Sequence, residues 1–128
     1  MRGILDTSIF IATEQDRPLA VESLPEVAAI SVVTLAELEL GVHLAVSEAS
    51  REARLRTLRA TQLAYVALPV DQAVASTFAR LVAAARRAGR RPRVQDTWIA
   101  ATALVHDAPV YTQDGDFDSI PDIEVVRV

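Results

Sequence analysis

The sequence predicts a three-layer α/β/α fold built on a central, mainly parallel five-stranded sheet. Three observations carry this expectation. Short β-branched apolar runs alternate with longer stretches of helical periodicity, the order that gives parallel strand pairing with helices on both faces. The chain has 128 residues, 51% of them apolar, which suits one domain with a real core. One late stretch, Trp98-Ile99-Ala100-Ala101-Thr102-Ala103-Leu104-Val105, is apolar nearly all round, as expected of a buried helix.

Taken in order, Gly3-Ile4-Leu5-Asp6 has strand length and ends in an acid. Asp6-Thr7-Ser8 is helix-start chemistry, so a short helix is expected from Thr7 to about Ala12. Glu14-Gln15-Asp16-Arg17-Pro18 is a polar break, with room after it for a second short helix. Ala28-Ala29-Ile30-Ser31-Val32-Val33 reads as the second strand. Thr34-Leu35-Ala36-Glu37 then matches a capping box, predicting a helix that starts at Thr34. Leu35, Leu38, Val42 and Ala45 or Val46 would share its apolar face.

Ser47 is placed to cap a further helix running to about Gln62, where Arg51, Arg54, Arg56 and Arg59 alternate with Leu55 and Leu58. Tyr65-Val66-Ala67-Leu68 is a short strand closed by Pro69. From Val70 to Arg87 the pattern is helical, with Val74, Phe78, Leu81, Val82 and Ala85 as its stripe and Gly89 as its stop. The buried helix is expected from Gln95 to about His106. Pro109 cannot continue it and leads into the strand Val110-Tyr111-Thr112. Ile123-Glu124-Val125-Val126 is the fifth strand. No repeat or second domain is visible, so a single domain over residues 1–128 is expected.

Composition excludes several functions. Aromatics are only 5%, so the core must be aliphatic. A net charge of −4 argues against non-specific coating of nucleic acid, while leaving room for a local basic patch. The absence of cysteine removes disulfides, thiolate metal sites and cysteine nucleophiles. No apolar run reaches the roughly 18 residues of a membrane span, and Asp6 interrupts the N-terminal apolar stretch too early for a signal peptide. A cytoplasmic protein is expected. All 13 basic residues are arginine.

Four acids share one structural address. Asp6 follows the first strand, Glu37 opens the helix after the second, Asp96 opens the buried helix and Asp114 follows the fourth strand. Each alone is explained by capping or turn chemistry, and the capping box accounts for Glu37 by itself. Capping does not account for acids at matching edges of several elements. Carboxylates brought together repel and raise one another's pKa, which a divalent cation relieves. Oxygen-only ligation favours Mg²⁺ or Mn²⁺ over Zn²⁺.

Leu5-Asp6-Thr7-Ser8, Thr34-Leu35-Ala36-Glu37-Leu38-Glu39-Leu40-Gly41, Gln95-Asp96-Thr97-Trp98-Ile99-Ala100-Ala101-Thr102-Ala103 and Tyr111-Thr112-Gln113-Asp114-Gly115-Asp116-Phe117 resemble the four motifs of PIN-domain ribonucleases, and specifically VapC-type toxins of toxin–antitoxin pairs. The resemblance covers nearly the whole chain in the right order. It implies a PIN-like fold and a Mg²⁺- or Mn²⁺-dependent endoribonuclease that leaves a 5′-phosphate and a 3′-hydroxyl. Asp6, Glu37, Asp96 and Asp114 would form the catalytic cluster, with Asp6, Asp96, Asp114 and Asp116 as metal ligands. Thr7, Ser8 and Thr112 would orient carboxylates or bound water. The resemblance further implies an RNA substrate, a VapB-like antitoxin partner and a homodimer. The helical region 34–62, with Leu55 and Leu58, would form a groove wall for that partner.

Arg86, Arg87, Arg90, Arg91 and Arg93 precede Asp96 and could hold RNA phosphates, or simply complement a helix end and a solvated loop. Trp98 is expected to pack rather than stack on a base, and His43 and His106 to be packing or surface residues. A dehalogenase-type phosphatase would want a second Asp where Ser8 stands. A receiver domain would want a lysine, and this chain has none. A non-catalytic PIN-like binding module usually lacks one of the acids, all of which are present here.

Overall fold

The computed structural model describes residues 2–128. The strands are β1 (Arg2–Leu5), β2 (Val27–Ser31), β3 (Val66–Leu68), β4 (Val110–Thr112) and β5 (Val125–Arg127). The helices are α1 (Thr7–Glu14), α2 (Val32–His43), α3 (Glu48–Ala64), α4 (Gln72–Arg87) and α5 (Val94–Val105), with a 3₁₀ turn at Val21–Ser23. The sheet order is β3-β2-β1-β4-β5, and every pair is parallel. The expected mainly parallel five-stranded sheet is thus parallel throughout.

This order places a topological switch at β1. The chain winds outward through β2 and β3 on one side and through β4 and β5 on the other. In such sheets a crevice opens beyond the carboxyl ends of the two strands at the switch. Here they are β1, which delivers Asp6, and β4, which ends at Thr112.

Strand alternation builds the layers. Ile4 and Val110 belong to a core with Val74, Leu81, Ile99 and Phe117, under α4 and α5. Their neighbours Leu5 and Tyr111 belong to a second core with Ile9, Phe10, Leu38 and Leu58, under α1, α2 and α3. Successive strand residues point to opposite faces, so one sheet separates two cores. Ala100, Ala101 and Ala103 are completely buried, and these small side chains let α5 lie close to the sheet. Phe78 stacks on Trp98 at a centroid distance of 3.6 Å and 7°, joining α4 to α5. Trp98 therefore packs, as expected.

Several boundaries differ from the sequence expectation. The cap of α2 is Ser31, whose hydroxyl accepts from Val33 N–H at 3.0 Å, and not Thr34. A serine can end a strand and cap a helix in one step, so Val32 and Val33 fall in the first helical turn despite their β-branching. Glu37 consequently lies one turn deeper than the capping box implied. The same helix ends at His43, leaving Ala45 and Val46 beyond it and Val46 fully exposed. Asp71, not Val70, marks the start of α4, because its carboxylate accepts from Val74 N–H at 2.9 Å. The last strand begins at Val125 rather than Ile123. Ser47 caps α3 as expected.

Gly3 has a steric reason. A Cβ built there would fall inside the van der Waals envelope of the Tyr111 ring, itself 1% exposed. Gly3→Ala is expected to destabilise by about 1–3 kcal/mol through overpacking, read as a lower denaturation midpoint. An unchanged midpoint would show that the ring can re-seat.

Candidate active site

Asp6 leaves β1 with extended backbone (φ −73°, ψ 155°) and caps α1, its carboxylate accepting from Ser8 N–H at 3.3 Å. Its own N–H donates to the Tyr111 carbonyl at 2.9 Å, which locks it to the end of β4. Oδ2 of Asp6 also accepts from the Thr112 hydroxyl at 2.9 Å. That hydroxyl oxygen lies 3.1 Å from Ser8 Oγ and 3.4 Å from Asp114 Oδ1. Ser8 Oγ in turn accepts from Gln113 N–H at 3.0 Å. Thr112 is thus the joint between the two strand ends. Asp6 is only 4% exposed.

The opposite wall comes from α2. Thr7 donates to Glu37 Oε1 at 2.8 Å, and its oxygen lies 3.0 Å from the Thr34 hydroxyl. Thr34 is fully buried, and its only expected role was that of a helix cap. Its signal was legible in principle, since a threonine three residues before Glu37 shares its helix face, and a buried hydroxyl needs a partner. Asp96 occupies the first turn of α5. The Asp116 N–H donates to Asp114 Oδ1 at 3.2 Å, which folds the turn after β4 back on itself. Its carboxylate lies 3.4 Å from Arg93 Nη2.

One field links these acids. Burial pushes the Asp96 carboxyl up to about 7, reinforced by the charges of Asp6, Asp116, Asp114 and Glu37. Burial also raises the Asp6 pKa, aided by Asp114 and opposed by hydrogen bonds from Ser8 and Thr112. The Glu37 pKa is raised by burial and by Asp6, against the hydrogen bond from Thr7. The fold therefore brings Asp6, Glu37, Asp96, Asp114 and Asp116 into one cluster. Among the described residues, however, no three acids or histidines stand close enough together to hold a metal ion as they are placed. Electrostatic coupling reaches further than ligation, so the two observations describe an open site. The acids offer only carboxylate oxygens, the donor chemistry of a hard divalent cation that binds through a few carboxylates and keeps several waters. Such a set does not suit tetrahedral Zn²⁺.

The arginines divide. Arg93 pairs with Asp116, and Arg90 donates to the Ser119 carbonyl at 2.8 Å, so both reach the loop after Asp114. Arg91 lines a small cavity with them. Arg86 and Arg87 sit exposed in the last turn of α4, where cations complement the helix dipole. His43 is exposed beside Glu39, and His106 Nε2 is buried at the far end of α5. The expected groove wall needs correction. Leu58 is 5% exposed and packs into the molecule's own core, with Leu55 against it. α3 does wall a cavity of about 480 Å³ facing α1, but through Arg56, Thr57, Ala60, Thr61 and Ala64.

A parallel sheet with an acidic crevice at its switch point is the frame of a known class. The PIN domain family profile matches residues 3–123, and the chain belongs to the PIN domain family. Within that family it is similar to VapC proteins. It is 45% identical to Ribonuclease VapC5 of Mycobacterium tuberculosis, over 98% of this chain and 95% of that protein. With Ribonuclease VapC4 of the same organism the identity is 40%, over 99% and 97%. Among solved structures, a VapBC-5 toxin–antitoxin chain from M. tuberculosis superposes with a TM-score of 0.90 at 42% identity, covering 99% of this chain and 98% of that one.

Proposed function

We propose that this chain is a Mg²⁺- or Mn²⁺-dependent endoribonuclease toxin of the VapC type, restrained by a VapB-like antitoxin. The observation that carries the reading is the convergence at the β1/β4 edge of Asp6 and Asp114, bridged by the Thr112 hydroxyl, with Glu37 tied to the same edge through Thr7. Capping alone would not require that convergence. The names of the VapC relatives support ribonuclease activity, and the VapBC-5 complex supports an antitoxin partner. A homodimer in a cytoplasmic setting completes the proposal. No helix of the described residues is long and apolar enough to cross a membrane.

Asp6, Asp96, Asp114 and Asp116 would hold the cation. When bound, the ion would supply a water of lowered pKa and charge to offset that on the phosphoryl oxygens. Thr112 fixes the distance between Asp6 and Asp114. Thr7 orients Glu37 through one carboxylate oxygen. Hydrolysis in line with the departing sugar oxygen leaves a 5′-phosphate and a 3′-hydroxyl. Arg90 and Arg93 offset the repulsion between RNA and the acidic crevice.

The test is cleavage of RNA with Mg²⁺ or Mn²⁺ and with EDTA, with end-group analysis of the products. Cleavage should require the metal and return when excess metal is added. Equal cutting in EDTA would overturn the metal assignment, and Mn²⁺ binding without cutting of any RNA would favour a binding module. Thr112→Val keeps the side-chain shape but removes the shared hydroxyl. It is expected to lower cleavage about 10–100-fold, as loss of a ligand-orienting group does in metal sites. Wild-type rates in this variant would show that Thr112 only fills space.

A further inference from the structure

Arg93 and Asp116, given separate roles above, form an ion pair with each other. Their closest atoms are 3.4 Å apart, with the side chains 61% and 38% exposed. Arg93 is the N-cap residue of α5, three positions before Asp96. Its carbonyl accepts from the Thr97 N–H and from the Thr97 hydroxyl. The main chain is therefore anchored while the guanidinium can move. Asp116 is held close to Asp114 through its own N–H, so its carboxylate needs only a side-chain rotation to change partner. Arg90, by contrast, is engaged with a neutral carbonyl. An exposed pair of this kind is weak, and weakness is what an exchangeable contact requires.

We propose that Arg93 is an internal counter-ion for Asp116: in the RNA-free protein it holds that carboxylate away from the metal, and an RNA phosphate recruits Arg93 and releases Asp116 to the ion. The inference rests on the metal-dependent reading above. It makes Arg93 a positioning residue that couples substrate arrival to completion of the metal site. A planar guanidinium suits the exchange, because phosphate and carboxylate oxygens both match its fork.

Titrating Mn²⁺ into the RNA-free full-length protein tests this. Arg93→Gln should bind Mn²⁺ about fivefold more tightly than wild type, the scale of an exposed ion pair, while Arg93→Lys should stay near wild type. Asp116→Asn alone should leave RNA-free Mn²⁺ binding within about twofold, and the Arg93→Gln/Asp116→Asn double variant should lose the gain. In cleavage assays Arg93→Gln should raise KM and make the salt dependence shallower by about one phosphate contact. An unchanged Mn²⁺ affinity in Arg93→Gln overturns the proposal. So does a gain that persists in the double variant, which would mean simple repulsion of the ion by Arg93. A wild-type protein that binds no Mn²⁺ overturns the metal reading and this inference together, whereas Mn²⁺ binding indifferent to Arg93 overturns this inference alone.

Discussion

Asp6→Asn is expected to abolish RNA cleavage and to leave the fold standing. The activity loss should exceed about 100-fold, since even ligand-orienting partners cost 10–100-fold in metal sites. Two features of Asp6 make the structural cost small. Asparagine caps helices about as well as aspartate, so the bond from Ser8 N–H has a replacement acceptor. The carboxylate is also buried beside Asp114, and its pKa is raised mainly by that burial. Removing its charge relieves a cost of folding. The melting temperature should therefore hold or rise while cleavage disappears. A variant that cuts at a tenth of the wild-type rate would exclude Asp6 from the metal site. One that is inactive and also melts far lower would show that the carboxylate's bond with Thr112 holds the two strand ends together.

Asp96→Asn should have an equally large effect on cleavage and a distinctive effect on stability. The Asp96 carboxyl moves from an ordinary value of 3.8 to about 7 in the fold. A raised acid pKa means that the folded chain holds the proton more tightly than the unfolded one. The associated stability is present below the unfolded value and is lost as pH rises through about 7. Asp6 and Glu37 are shifted in the same direction. In EDTA, the wild-type denaturation midpoint should fall as pH rises from about 4 to about 7 and level off above that. Asp96→Asn should flatten much of that fall, and saturating Mg²⁺ or Mn²⁺ should offset it in the wild type. A midpoint that rises over this range in EDTA, or a variant with the wild-type slope, would show that the fold does not raise these carboxyls.

Much of this arrangement was legible because it rests on local chemistry. Asp6 could be placed at a strand end because an apolar run stops there and capping residues follow. The α5 boundaries came within a residue because Gly89, Pro109 and an all-apolar stretch bracket it. The failures also have local causes. Ser31 and Thr34 both stand three residues before a polar group, and β-branched Val32 and Val33 favoured extending the strand. The competition was decided by where the strand could still pair: Ser31 pairs with Leu68 at the end of β3. Glu37 was thereby freed from capping, which removes its bland explanation and leaves its bond to Thr7. The Arg93–Asp116 pair was not legible at all. It joins residues 23 positions apart whose meeting depends on how α5 and the turn after β4 pack together. Leu55 and Leu58 show the converse, since a leucine pattern among arginines does not say whether the apolar face meets a partner or the chain's own core.

The stack of Phe78 on Trp98 has a practical consequence. Trp98 is the only tryptophan in the chain, and it stands two residues from Asp96 on the same helix. Its indole emission thus arises from one place, at the seam between α4 and the helix that carries an acid of the cluster. Ion uptake that shifts the start of α5 would register there without any added label. The molecule carries its own optical probe beside its chemistry.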